Sequence, residues 1–446
     1  MSSTSSSSED GGGAARRRGG DYEGPSTSRR RRGVNEVWPE PFLENLAAQV
    51  AIEEARSGGR LAVAPSLVNL FLVCSTWRNV SSSDLLWAGL TQRIWGRTHR
   101  THPTWRDEFI YCHRTAANFR SRRSVYATLH FDPSEVNGDP YGLICRCLTL
   151  SELHLACGFA DGSVRLFDLA TRLHIATYQA PHRGGLGLHS RAVSGIVMSD
   201  SRLVFATLGG DIHVVMIDGG APLRGAHVGD LVTDGVLVEF AGCGRWWVGL
   251  YAGVPGRAFH IWDSNTEEQV YVGGDLTDGE SVAGWRMLTD LTQIVGRLRV
   301  TRQESAVAAT STRVLVIDLS GHGTPLRDLN YTRRGLIVTS VDADGDAYIV
   351  VDTRGLAVVR HVGRREDICR LNVRGAAHSR VMGCMNQGYA LMCLAGAIRV
   401  WEVERGAQLY DLAVGIGEVS AIVASERHVA AYSNDSTIHL WDFGAE

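Results

Sequence analysis

The chain has 446 residues, 48 acidic and 45 basic side chains, a formal charge of −3 and 44% hydrophobic residues. That length allows more than one domain with a sizeable core, and the near-neutral balance excludes a generally basic nucleic-acid binder. No lysine occurs, so every basic side chain is an arginine, which excludes mechanisms built on a phosphate-loop, kinase or Schiff-base lysine. Nine cysteines are scattered without a CxxC pair, and no signal peptide is read at the N-terminus, so a reducing intracellular environment with free thiols is expected. The longest uncharged run, near Leu61 to Trp77, contains Pro65, Ser66 and Asn69, and no membrane span is expected.

Residues 1–33 are rich in Ser, Gly and Arg with little to bury, and disorder is expected there. Arg16, Arg17 and Arg18, then Arg29, Arg30, Arg31 and Arg32, form two basic clusters separated by ten residues. That pattern matches a bipartite nuclear import signal; the alternative is a solvated tail that touches nucleic acid weakly.

Residues 34–95 read as a small helical module. Pro41 suits a first helical turn, and Phe42, Leu43, Leu46, Ala47 and Val50 mark one apolar face. The stretch from Ala51 to Pro65 is expected to interrupt the helix. Leu67, Leu70, Phe71, Cys74 and Trp77 then recur at a spacing that predicts one further helix. Ser81 to Ser83 offer N-caps for another, carrying Leu86, Trp87, Leu90 and Ile94. Residues 96–123 read as an arginine-rich helical linker. Its aromatics, Trp105, Phe109, Tyr111 and Phe119 among them, are expected to face inward, with the arginines paired or solvated rather than gripping nucleic acid. His99, His102, Cys112 and His113 match no common zinc spacing, so neither metal nor other cofactor is expected.

Residues 124–446 carry a repeat. Aligned on the last position of HLWD at Asp442, earlier segments end at Asp168, Asp218, Asp263, Asp318, His361 and Glu402, at intervals of 40 to 55 residues. Two and four positions before each stand apolar residues, from Leu166 and Val164 to Leu440 and Ile438, and this period of two marks a strand. One position before, Phe167, Ile217, Trp262, Ile317, Trp401 and Trp441 suit a packed surface between sheets. Seven hits at this period predict a mainly β fold, a seven-bladed propeller of WD40 type, behind the helical module. Too few residues follow Asp442 for a fourth strand, so Ser124 to Phe131, alternating apolar and polar, is expected to supply it and close the ring.

Catalytic motifs are sparse. No GxSxG elbow, HExxH helix or glycine-rich phosphate loop occurs, and Asp342 to Asp346 departs from a calcium loop and reads as a turn. Gly242 to Asp263 is dense in aromatics. Arg245, Trp246, Trp247, Tyr251 and Arg257 there have the chemistry of a binding hot spot, the alternative being blade core and turn glycines.

The segment WPEPFLENLAAQV followed by LVNLFLVCSTWRNVSSSDLLWAGL resembles an F-box. With TWRDEFIYCHRTAANFR, GCGRWWVGLYAGVPGRAFHIWD and RVWEVERG, the whole is similar to a family of plant F-box/WD40-repeat proteins. The resemblance implies a non-catalytic subunit that docks on a Skp1-type adaptor, and through it a cullin-RING ubiquitin ligase. It also implies a nuclear protein that recruits growth-restraining regulators in flower and organ development. Pro39, Pro41, Phe42, Leu46, Val50, Leu86 and Trp87 are the residues expected to meet the adaptor. A nuclear scaffold or transcriptional cofactor acting without the ligase stays open. So do two accounts of the absent lysines: coding bias toward arginine, or an advantage in offering a neighbouring ubiquitin-transferring enzyme no side-chain amine.

Overall fold

Period-two spacing puts the recurring apolar residues on one face of a sheet, and among the described residues the chain forms seven four-stranded antiparallel sheets. The computed structural model describes residues 38–132, 143–181, 188–217, 219, 222–276, 297–321, 323–331, 337–364, 366–373 and 381–444. The N-terminal tail with both arginine clusters lies outside them. The innermost strands of successive sheets, Cys145–Leu150, Val193–Met198, Val236–Gly242, Arg297–Val300, Val338–Asp344, Met382–Met385 and Val419–Ala424, neighbour one another in turn, and the last returns to the first. The result is a seven-bladed propeller around a central channel.

The aligned repeats are the third strands. Six of these end on the aligned residue, as in Ser163–Asp168, Phe259–Asp263 and Ile438–Asp442, while the strand of the second blade, Ile212–Met216, ends two positions early. The apolar residues two and four positions before the aligned residue are buried in every blade except at Met216, which is 43% exposed; there Val215 turns inward instead. The aromatic and β-branched residues one position before pack against the preceding blade. Trp441 sits among Leu391, Val400 and Val429, and Trp262 among Val204 and Val214.

The last blade has strand order Val125–Leu129, Ile438–Asp442, His428–Ser433, Val419–Ala424. Val125 pairs with Asp442 and Leu129 with Ile438, so a segment from before the first blade completes the seventh. Side chains extend this seam. Tyr126 Oη bonds His439 Nδ1 at 2.8 Å, and His439 Nε2 bonds Ser433 Oγ at 2.9 Å. Leu129 is fully buried beside Cys145, Leu155 and Leu440, locking the last blade to the first.

Among the described residues five α-helices precede the ring: α1 (Glu40–Ser57), α2 (Val63–Phe71), α3 (Ser75–Val80), α4 (Asp84–Trp95) and α5 (Trp105–Arg120). Two boundaries differ from expectation. Helix α1 runs through Ala51 to Ser57, because Ala, Glu and Arg are good helix formers, and it stops at Gly58 and Gly59. Pro65 sits in the first turn of α2, where no intrahelical N–H is lost. The stripe read as one helix over Leu67 to Trp77 is two, broken at Cys74 with an extended φ of −166°; the break lets Trp77 and Val80 pack on the same helical core. Ser83 caps α4, its hydroxyl accepting from Leu86 N. Helix α5 contributes Phe109 and Ala116 to the core shared by α1, α2 and α4.

The helices are seated on the ring by α5 and by the turn before α2. Phe119 stacks on Tyr389 at 4.5 Å and Phe443 at 3.9 Å, and Asn118 Nδ2 donates to Phe443 O at 3.0 Å. Gly59, at φ +88°, brings the backbone so close that an added Cβ would meet Glu404 Oε2 at 2.0 Å, and Arg60 N donates to Glu404 Oε1 at 3.0 Å. Arg60 also approaches Glu426 at 3.5 Å and lies over the Trp95 ring. Arg97 bridges the fully buried Glu108 of α5 to Glu152 in the first blade, the latter at 2.6 Å. Burial alone would raise the Glu108 carboxyl, but His102, the Thr101 amide and Arg97 bring it down to about 2.

Two outcomes follow for stability. Leu129→Ala should cost about 2–5 kcal/mol in denaturant melts, whereas Val125→Ala, at a 39% exposed position on the same strand, should cost less than about 1 kcal/mol. Because Glu108 titrates lower in the folded chain than when unfolded, its stabilisation is present above its unfolded value of 4.5 and is lost as pH falls toward about 2. Glu108→Gln should therefore remove about 3 kcal/mol at neutral pH and flatten the acid limb of a stability-versus-pH curve between those values.

Candidate interaction surfaces

Side-chain exposure divides the expected adaptor residues into two groups. Pro39, Pro41 and Phe42 are exposed at the start of α1, with Phe42 stacked on Trp38 at 4.6 Å, and Leu46 and Val50 are half-buried on the same helix. Leu86 and Trp87 are instead only 6% exposed, inside the helical core, and Trp87 Nε1 donates to Ser81 O at 2.7 Å. They hold the module together and present no surface. The Ser83 cap sets the phase of α4 so that Leu86, Trp87, Leu90 and Ile94 turn inward and Leu85 turns out, 82% exposed. Val68, Leu72 and Val73, at the end of α2, are also more than half exposed. An apolar outer surface on a small helical module is the kind of feature that a partner covers.

The five residues singled out in the third blade are not brought together. Trp246, Trp247 and Tyr251 are buried in the blade and between blades, as the strand Trp246–Ala252 requires of residues packed on both faces. Arg245 stands before that strand, pairing with Glu304 at 3.4 Å and lying over Trp246. Arg257 lies beyond its other end, bonded to Asp234 at 2.7 Å. The strand separates the two arginines by roughly 20 Å of sheet height. Arg245 is on the helix-bearing side, with the connections that hold Gln387, Glu404 and Glu426, and Arg257 is on the open side.

The channel carries a polar site that the repeat pattern did not announce. Its walls enclose a cavity of about 320 Å3. Glu239 accepts from Arg297 at 3.0 Å and Arg299 at 2.7 Å, and Asp342 accepts from Arg299 Nε at 3.0 Å and Met385 N at 2.8 Å. Asp344 faces Arg302 at 3.8 Å. Burial, then the charges of Glu426 and Asp342, push the Asp344 carboxyl up to about 6, against the pull of Arg302. The signal was there in Arg297-Leu298-Arg299 and Asp342-Ala343-Asp344, charges alternating with apolar residues on innermost strands. Asp342 and Asp344 lie on the strand that leads into the turn at Gly345.

Chemistry for catalysis is thin among the described residues. No three His, Cys, Asp or Glu side chains there are grouped to hold a metal ion. His102 and His99 bond Glu108 and Glu152. The nine cysteines are free, and burial raises the Cys145, Cys157 and Cys384 thiols well above their ordinary range. No helix among the described residues is long and apolar enough to cross a membrane.

No protein-family model matches the chain. Among solved structures the propeller is similar to the WD40 repeats of RRP9, at 11% identity and a TM-score of 0.52, covering 71% of this chain and 97% of that one. The likeness is one of fold, a WD40-type propeller. Among curated proteins the chain is 59% identical over 428 residues to the transcriptional regulator STERILE APETALA of Arabidopsis thaliana, covering 95% of this chain and 96% of the relative. Identity at that level over nearly the full length places the chain in a family: it belongs to that of STERILE APETALA.

Proposed function

We propose that this chain is the target-recognition subunit of an SCF-type ubiquitin ligase. In this reading the helical module, residues 34–95, docks on a Skp1-type adaptor, and the propeller, residues 124–446, binds a nuclear regulator of growth or transcription for ubiquitination in floral development and organ growth. The observation that carries it is a helical module with an apolar outer face, seated on a WD40 propeller through buried contacts of α5. Such a joint fixes the distance between adaptor and target, which raises the target's effective concentration at the ubiquitin-loaded enzyme. Catalysis belongs to the partners. The chain itself offers no lysine to that enzyme. Nuclear action is supported by the relative's name and by the arginine clusters of the tail.

The adaptor surface in this proposal is Trp38, Pro39, Pro41 and Phe42, the half-buried Leu46 and Val50, and Leu85 in place of Leu86 and Trp87. A second reading, a transcriptional scaffold independent of the ligase, draws on the relative's description as a transcriptional regulator.

The two readings separate on adaptor binding. Purified wild-type chain should bind a Skp1-type adaptor, and Phe42→Asp or Leu85→Asp should weaken binding by about tenfold or more without lowering the melting temperature. Trp87→Ala should instead destabilise the helical region by about 3–5 kcal/mol. A folded wild-type chain that binds no adaptor would favour the scaffold.

A further inference from the structure

The central channel contains a cation, Arg146, that forms no ion pair among the described residues. Four arginines and three carboxylates line the cavity: Arg146, Arg297, Arg299 and Arg302 against Glu239, Asp342 and Asp344. Glu239 serves Arg297 and Arg299, Asp342 serves Arg299, and Asp344 faces Arg302. Arg146, on the innermost strand of the first blade, makes one hydrogen bond, from Nε to Val193 O at 2.7 Å, and has no carboxylate partner among the described residues. Its Nη groups are left for the cavity. Burial lowers the Arg146 pKa and Arg297 adds to it, against the opposing pull of Cys147 and Glu239.

We propose that the channel is an oxyanion site in which Arg146 receives one carboxylate or phosphate group. A guanidinium offers parallel N–H donors that fit either group, and Arg297 and Arg299 on the innermost strand of the fourth blade, already shared with Glu239, supply further positive potential to the same cavity. A space of about 320 Å3 admits an anion of this size and the stem that carries it. The group could arrive as a free anion or on an acidic side chain of a bound protein; the recognition chemistry is the same. The site does not depend on the ligase reading, because it follows from the channel alone.

The test is calorimetric titration of the full chain with inorganic phosphate, with a glutamate-bearing peptide and with its glutamine counterpart. Binding of phosphate alone assigns a free anion, whereas binding of the acidic peptide and not its glutamine form assigns a protein side chain. In either case Arg146→Gln should weaken affinity by about tenfold or more, while Arg56→Gln, at a 71% exposed position on α1, should leave it unchanged. Glu239→Gln frees Arg297 and Arg299 and should tighten binding severalfold, a gain that misfolding does not produce. The proposal is overturned if the folded wild-type chain binds neither probe, or if Arg146→Gln binds as tightly as wild type. Should Arg146→Gln fail to fold, unchanged or weaker binding by Glu239→Gln overturns it as well.

Discussion

The structure depends on how the ring is closed. The chain's last strand is the third of its blade, and an unpaired outer edge there would expose a row of backbone N–H and C=O groups. Val125–Leu129 covers that edge in register with Ile438–Asp442, and Leu129 packs with Cys145 and Leu155 of the first blade. Because this strand follows directly on α5, closure also fixes where the helices must sit. Phe119 at the end of α5 is thereby delivered onto Tyr389 and Phe443, the residues that flank the sixth and seventh blades.

Seating the helices in this way brings charged groups into dry places, and each is met by a partner from the other unit. Arg60 finds Glu404 and Glu426, and Arg97 joins Glu108 to Glu152. Buried ion pairs add little net stability compared with apolar packing, but they are costly to break and so specify one arrangement. The apolar contacts of Phe119 supply the attraction, and the ion pairs define the angle. The open side of the ring has no such cover among the described residues, which leaves it as the surface for a different partner.

Much of this was legible in the sequence, for reasons that also explain the rest. Apolar residues two and four positions before the aligned residue recur because that face of each third strand packs between blades, so seven repeats and the closing strand could be read directly. Ser83 as a cap was legible because its chemistry is local. Helix phase and boundaries were not: apolar residues at Leu85, Leu86 and Trp87 are indistinguishable until a cap fixes the rotation, and the break at Cys74 follows from tertiary packing. Trp246, Trp247 and Tyr251 looked like a binding surface because aromatic residues serve interfaces and cores alike. The channel charges went unread because a charge on an innermost strand resembles any surface charge until the ring encloses it.

The seam in the last blade also bears on how the protein is made. Leu129 leaves the ribosome roughly 300 residues before its partner Ile438, an interval on the order of 15 to 60 s at usual synthesis rates. For that time the early strand has no sheet to join, and every blade completed meanwhile belongs to an open arc. Long-range pairing of this kind places ring closure after the synthesis of Ile438–Asp442, and leaves Val125–Leu129 without its partner strand until then.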